Sequence, residues 1–162
     1  MASVIVADSG PLIAIAHLEL FSILPNVLGT VWVPDAVLRE CLYIPTRPDA
    51  ITIQTALDNT WIQARKSNFT GGERFPVSLG EGELAAIQMA KELVCPILID
   101  DKLGRRYASL EGIQVIGTAG VLIKAKQLGD VNLLAPLLKT LRRRGYHLSA
   151  PLIKRILEMC GE

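Results

Sequence analysis

Near the start of the chain, Ser3-Val4-Ile5-Val6-Ala7-Asp8-Ser9-Gly10-Pro11-Leu12-Ile13 passes from an apolar run through one aspartate into helix-forming sequence. Four apolar residues, Val4 to Ala7, run without alternation, as expected of a strand covered on both faces of a parallel sheet. Asp8 ends the run. Ser9 is a suitable helix cap and Pro11 falls in a first turn, where a missing N–H costs nothing, so a helix is expected to follow through Leu12, Ile13, Ile15 and Ala16. Strand, carboxylate and helix therefore follow in order, and in an open α/β sheet ligands sit outside the carboxyl ends of the strands, where Asp8 would emerge. The plain alternative, Asp8 as a helix cap and nothing more, is weakened by Ser9 standing ready for that task.

The same grammar recurs along the chain. Thr30-Val31-Trp32-Val33 reads as a second strand, with Pro34 opening a helix in which Glu40 lies at the margin of the stripe formed by Val37, Cys41 and Ile44. A helix from Asp49 to about Asn59 and a strand around Trp61 to Ala64 come next, then a surface loop from Arg65 to Pro76. From Leu79 to Val94 the pattern is helical. At 100° per residue Glu83 shares a face with Ile87, Ala90 and Val94, whereas Glu81 falls with Ala85, Gln88 and Glu92 on the opposite side. Glu83 is therefore expected to point inward, where a carboxylate needs a cation, a donor or a cleft. Pro96 to Ile99 forms a fourth strand that ends on Asp100-Asp101 as the first ended on Asp8. Lys102 to Leu110 is a helix carrying Arg105 and Arg106, Gln114 to Ile116 a last strand, and Gly117-Thr118 leads into a helix over Val121 to Gln127. Five short apolar strands separated by helices predict a three-layer α/β/α domain with a mostly parallel sheet.

The 162 residues suit one domain, 1–162, with residues 131–162 as a C-terminal helical extension. There Leu134, Leu137, Leu138 and Leu141 form an apolar face that ends in Arg142, Arg143 and Arg144, which either complement the helix dipole or bind phosphate. Ser149 can cap a last helix with Leu152, Ile153, Ile156 and Leu157 on one side. With 17 basic and 16 acidic residues the net charge is +1, so nucleic acid can be attracted only by a local patch. The three cysteines fit neither a disulfide framework nor a zinc site. No uncharged stretch is long and unbroken enough to span a bilayer, and a cytoplasmic setting is expected. A dinucleotide fingerprint and a Walker lysine motif are both missing.

Asp8, Glu40, Glu83 and Asp100-Asp101, far apart in sequence, would meet at one sheet edge. Carboxylates gathered in a cleft form the ligand set for Mg²⁺ or Mn²⁺, and metal-assisted phosphodiester cleavage is the chemistry that follows. These residues resemble the PIN-domain family, in particular VapC-type ribonuclease toxins and their uncharacterised relatives. The resemblance rests on Val6-Ala7-Asp8-Ser9-Gly10-Pro11-Leu12, on Val33 to Glu40, on Gly82-Glu83-Leu84-Ala85-Ala86-Ile87, on Ile97 to Asp101, and on Gly117 to Leu122. It implies a metal-dependent endonuclease of single-stranded RNA, often a homodimer and often held in check by a small antitoxin protein. It further implies Asp8, Glu40, Glu83 and Asp101 as catalytic groups, and Asp8, Glu83 and Asp101 as metal ligands, with Asp100 an alternative to Asp101. Ser9 and Thr118 would hydrogen-bond these carboxylates, and Lys102, Arg105, Arg106 and Arg142 to Arg144 are candidates for contacting RNA. Two departures stand out, a glutamate at the third acidic position, where many such toxins have aspartate, and the Asp100-Asp101 doublet, which leaves two candidates for the fourth ligand; helices from Leu133 onward also exceed a minimal PIN domain. The competing function is a PIN-like binding or regulatory module that does not cleave. A phospho-acceptor reading of Asp100-Asp101 with Lys124 fails on residue order.

Overall fold

The strand built from Val4 to Ala7 lies at the centre of the sheet because its side chains are apolar on both faces and both faces are covered. The computed structural model describes residues 3–68 and 78–162. Most of the loop expected over Arg65 to Pro76 lies outside those residues. Five parallel strands, β1 (Val4–Ala7), β2 (Thr30–Pro34), β3 (Gln63–Arg65), β4 (Ile97–Leu98) and β5 (Val115–Ile116), are ordered β3-β2-β1-β4-β5. In register, Val6 sits opposite Trp32 on one side and Ile97 on the other, and Ala7 sits opposite Leu98. The chain builds outward from β1 through β2 to β3, then crosses back to β4. The order thus reverses between β1 and β4, the position at which such sheets bind ligands.

Helices α1 (Ser9–Leu18), α2 (Leu24–Leu28), α3 (Asp35–Cys41) and α4 (Pro48–Asp58) occupy the first half, with a 3₁₀ turn at Phe21–Ile23. In the second half are α5 (Glu81–Leu93), α6 (Lys102–Leu110), α7 (Thr118–Gln127), α8 (Ala135–Arg143) and α9 (Ala150–Met159). Asp8, not Ser9, occupies the N-cap position of α1, yet makes no side-chain capping hydrogen bond. Pro34 closes β2 and precedes α3 rather than opening it, because its extended backbone suits the strand end.

The face assignment for α5 needs correction at two residues. Ala85 is fully buried although it falls on the side of Glu81, because α5 packs against both the sheet and α3. Val94, expected inside, is 90 % exposed, since it is a left-handed C-cap with φ 50° and has left the helical phase.

One core cluster surrounds the sheet, with Phe21, Leu12, Ile53 and Ile99 among its fully buried members. A second joins Ala14 and Leu18 of α1 and Leu122 of α7 to Leu134, Leu138, Leu141 and Ile156 of the C-terminal helices. That apolar seam fixes α8 and α9 against α1 and α7, and truncating a leucine within it to alanine costs about 2–5 kcal/mol. Among the described residues no single helix is long and apolar enough to cross a membrane; α1 and the segment through α2 are apolar together but bent by 110°, and their large side chains lie in the core.

Candidate functional site

Asp8 leaves β1 at the switch point, where its own amide donates to Leu98 O at 2.9 Å and thereby locks it beside the end of β4. Its side chain is 3 % exposed. Burial is the main reason that its pKa is pushed up to about 7; the Ser9 amide opposes the shift, and the charges of Glu83, Glu40 and Asp101 add to it. Four carboxyl groups from four separate segments therefore feel one another at this edge.

Each of the other three is aimed by backbone amides. Glu40, near the end of α3, accepts from Gly82 N at 3.1 Å, which ties it to the first turn of α5. Glu83 accepts from Gly80 N at 3.4 Å, and its carboxyl is held above the ordinary range by burial first and then by Asp101 and Glu40. Asp101 caps α6, accepting from Gly104 N at 2.8 Å. The close approach explains two glycines: a Cβ on Gly82 would fall on the Glu40 carboxylate, and one on Gly104 would press on Ile99 and Glu83.

Asp100 takes a different direction from its neighbour. Its oxygens accept from Thr118 N at 2.8 Å and Thr118 Oγ1 at 2.5 Å, and also from the Tyr146 hydroxyl, with the Arg105 guanidinium nearby. Burial raises its pKa and the Thr118 hydrogen bonds oppose the rise. Asp101, not Asp100, thus faces Asp8 and Glu83, and the structure gives Asp100 the work of joining β4 to the start of α7. Thr118 does hydrogen-bond a carboxylate, that of Asp100, whereas Ser9 meets Asp8 through its amide.

The basic residues divide. Lys102, Arg105 and Arg106 are exposed on α6, whose start is fixed at the acidic edge by Asp101. Arg142 to Arg144 are exposed at the end of α8, and Arg144 lines a small cleft with His17, Glu19 and Asp49. That cleft lies at the far end of α1 from Asp8, about 15 Å along the helix, so Arg144 does not join the acidic edge. Glu81 is exposed beside Arg39 at 3.7 Å, outside the group. Tyr146 is the member that sequence reading misses: it follows α8 with no motif around it, 46 residues from the aspartate it touches.

Among the described residues no three His, Cys, Asp or Glu side chains already converge at metal-holding geometry. The donors nevertheless have the right chemistry. Asp8 Oδ1 and Glu83 Oε2 are buried and receive no hydrogen bond from an amide, a hydroxyl or a cation, and what faces Glu83 is the Asp101 carboxyl, with which it can hydrogen-bond only by holding a proton between two acids. Unpaired buried carboxylate oxygens are costly, and a hard divalent cation is the group that satisfies several at once.

A family profile described as PIN domain (DUF3368) matches residues 4–162. No curated protein matches the chain. Among solved structures it is similar to a PilT N-terminus domain protein from the hyperthermophilic archaeon Sulfolobus solfataricus, with 21 % identity over 74 % of this chain and 90 % of that one and a TM-score of 0.48. It is also similar to a domain of a functionally unknown protein from Methanocaldococcus jannaschii, with 18 % identity over 72 % and 91 % and a TM-score of 0.47. With the profile spanning almost the whole chain, and a parallel sheet that brings four separate carboxyl groups to its switch point, the chain belongs to the PIN-domain family, whose members are generally nucleases.

Proposed function

We propose that the chain is a divalent-metal-dependent endonuclease that hydrolyses phosphodiester bonds in single-stranded RNA. The observation that carries this reading is the pair of buried, unpartnered oxygens on Asp8 and Glu83 within a group of four acids. Asp8, Glu83 and Asp101 would hold Mg²⁺ or Mn²⁺, with Glu40 completing the acidic wall. The bound ion supplies charge neutralisation at the phosphate and activation of water. The protein's own part is orientation. Amides of Gly82, Gly80 and Gly104 fix the three carboxylates that meet Asp8, so little reorganisation is needed when a substrate arrives. Asp8, whose pKa without metal is pushed up to about 7 mainly by burial, would give up its proton as the ion binds. Arg105, exposed beside Asp100, would meet a phosphate on the incoming strand.

A toxin role, with a small antitoxin and a second copy of the chain as partners and a cytoplasmic setting, belongs to the same proposal and rests on the family resemblance alone. The test is to incubate purified protein with single-stranded and duplex RNA in Mg²⁺, Mn²⁺ or EDTA. Internal cleavage of the single strand that requires the metal is expected. Binding without cleavage in every metal would replace the nuclease with the non-cleaving module.

A further inference from the structure

On the other side of Asp100 from the acidic edge, lined by Asp100, Arg105 and Thr118 but by none of the four grouped acids, lies a cavity of about 660 Å³ between β5, α7 and the segment that joins α8 to α9. Its volume falls within the ~300–1,000 Å³ range of small-molecule clefts. The walls are of two kinds. Tyr146, Leu148 and Leu152 from the C-terminal segment give an apolar and aromatic side. Arg105, Lys124 and His147 place nitrogen-bearing side chains around the rim, and all three are exposed to a ligand approaching from solvent. From Thr118 to Lys124 the rim follows α7 for about 9 Å, away from the carboxylates.

We propose that this cavity is a nucleotide subsite that takes one unstacked base, with its phosphate, from the RNA strand next to the bond that is cut. The proposal rests on the nuclease reading and adds where the strand runs and which part of the chain receives it. An apolar pocket with an aromatic wall accepts a base only when that base is free of its own stack, which a single strand allows and a duplex opposes. The cationic rim matches the phosphate, and it begins at Arg105, where the acidic edge ends. The C-terminal helices then have a task beyond packing: they supply the wall that the parallel sheet lacks at β5, its edge strand.

The experiment measures binding apart from cleavage, by fluorescence anisotropy of a short fluorescein-labelled single-stranded RNA in EDTA. Lys124→Ala should weaken binding severalfold and lower its salt dependence by about one charge. Leu152→Trp, which fills the cavity from a partly exposed position, should weaken it roughly tenfold, with the melting temperature checked to show that it folds. Arg155→Ala removes an exposed charge that does not line the cavity and should leave binding unchanged. Free AMP and UMP should compete with the RNA. Equal losses from Lys124→Ala and Arg155→Ala, unaltered binding by a folded Leu152→Trp, mononucleotides that bind without competing, or no binding of RNA by the native protein would each overturn the subsite. The two readings fail separately: a native protein that binds RNA through this cavity but never cuts it overturns the nuclease alone. One that cuts with a KM unmoved by Lys124→Ala and Leu152→Trp overturns the subsite alone.

Discussion

Asp8 and Glu83 share a property that separates them from the other acids among the described residues: each has a buried oxygen without a hydrogen-bond partner. Glu81, two residues earlier on the same helix, is exposed beside Arg39, and such a surface pair contributes at most about 1 kcal/mol. Cleavage assays should therefore show Glu83→Gln reduced by at least about a hundredfold and Glu81→Gln close to native. In the metal-free protein Glu83→Gln also removes a charge that presses on Asp8, so its melting temperature should equal or exceed the native value. A dead Glu81→Gln would place the wrong glutamate at the site. The helical wheel puts Glu83 on the side of the buried Ile87 and Ala90, and in the structure it faces Asp101; the wheel misplaces Ala85 because α5 is covered on two sides. It also fails at Val94, where the left-handed cap has already ended the helical phase. The choice between Asp100 and Asp101 was not legible at all. Adjacent residues point in different directions, and which one reaches Asp8 depends on the amides offered by Gly104 and Thr118, each set by tertiary placement.

At the scale of elements, Asp100 is the knot between β4, α7 and the C-terminal segment, through Thr118 and Tyr146. Tyr146→Phe keeps the ring, which packs with the second apolar cluster, and deletes only the hydroxyl. Loss of one hydrogen bond to a charged group predicts about 1.5–3 kcal/mol of lost stability. It also predicts a smaller kcat, since Asp101 follows Asp100 directly and is positioned with it. Thermal melts and steady-state kinetics check both; a variant with native stability and native kcat would show that the knot holds nothing. The strands, most helices and the parallel order could be read from the sequence because continuous apolar runs and turn residues are local signals. The attachment of α8 and α9 was readable only as amphipathic faces. What they pack on, Ala14, Leu18 and Leu122, is decided by partners more than 100 residues apart in part of the seam.

For the whole molecule, the raised pKa of Asp8 makes stability depend on pH with a definite sign. Its folded value is about 7 against an unfolded value of 3.8, so between these the native state holds a proton that the unfolded chain has released. Stability of the metal-free protein should fall as pH rises from about 4 to about 7 and then level off, by up to about 4 kcal/mol from this group. The raised pKa of Glu83 acts in the same direction. Melting curves should be lower at pH 8 than at pH 5 in EDTA, and Asp8→Asn should flatten the difference. Divalent metal at pH 8 should restore stability, by about 2.7 kcal/mol at a hundredfold excess over Kd. A melting temperature that rises from pH 5 to pH 8 in EDTA would contradict the burial of Asp8 among like charges.

If Asp8 stands at the heart of a divalent-cation site, calorimetric titration of Mn²⁺ into the native protein and into Asp8→Asn will separate the two proteins. Saturable binding is expected at pH 7.5, weakening as pH falls below 7, because the ion must displace the proton on Asp8. The folded Asp8→Asn variant should lose at least about tenfold in affinity. Absence of Mn²⁺ binding by the native protein, or the same affinity in both proteins, would contradict a cation site at Asp8.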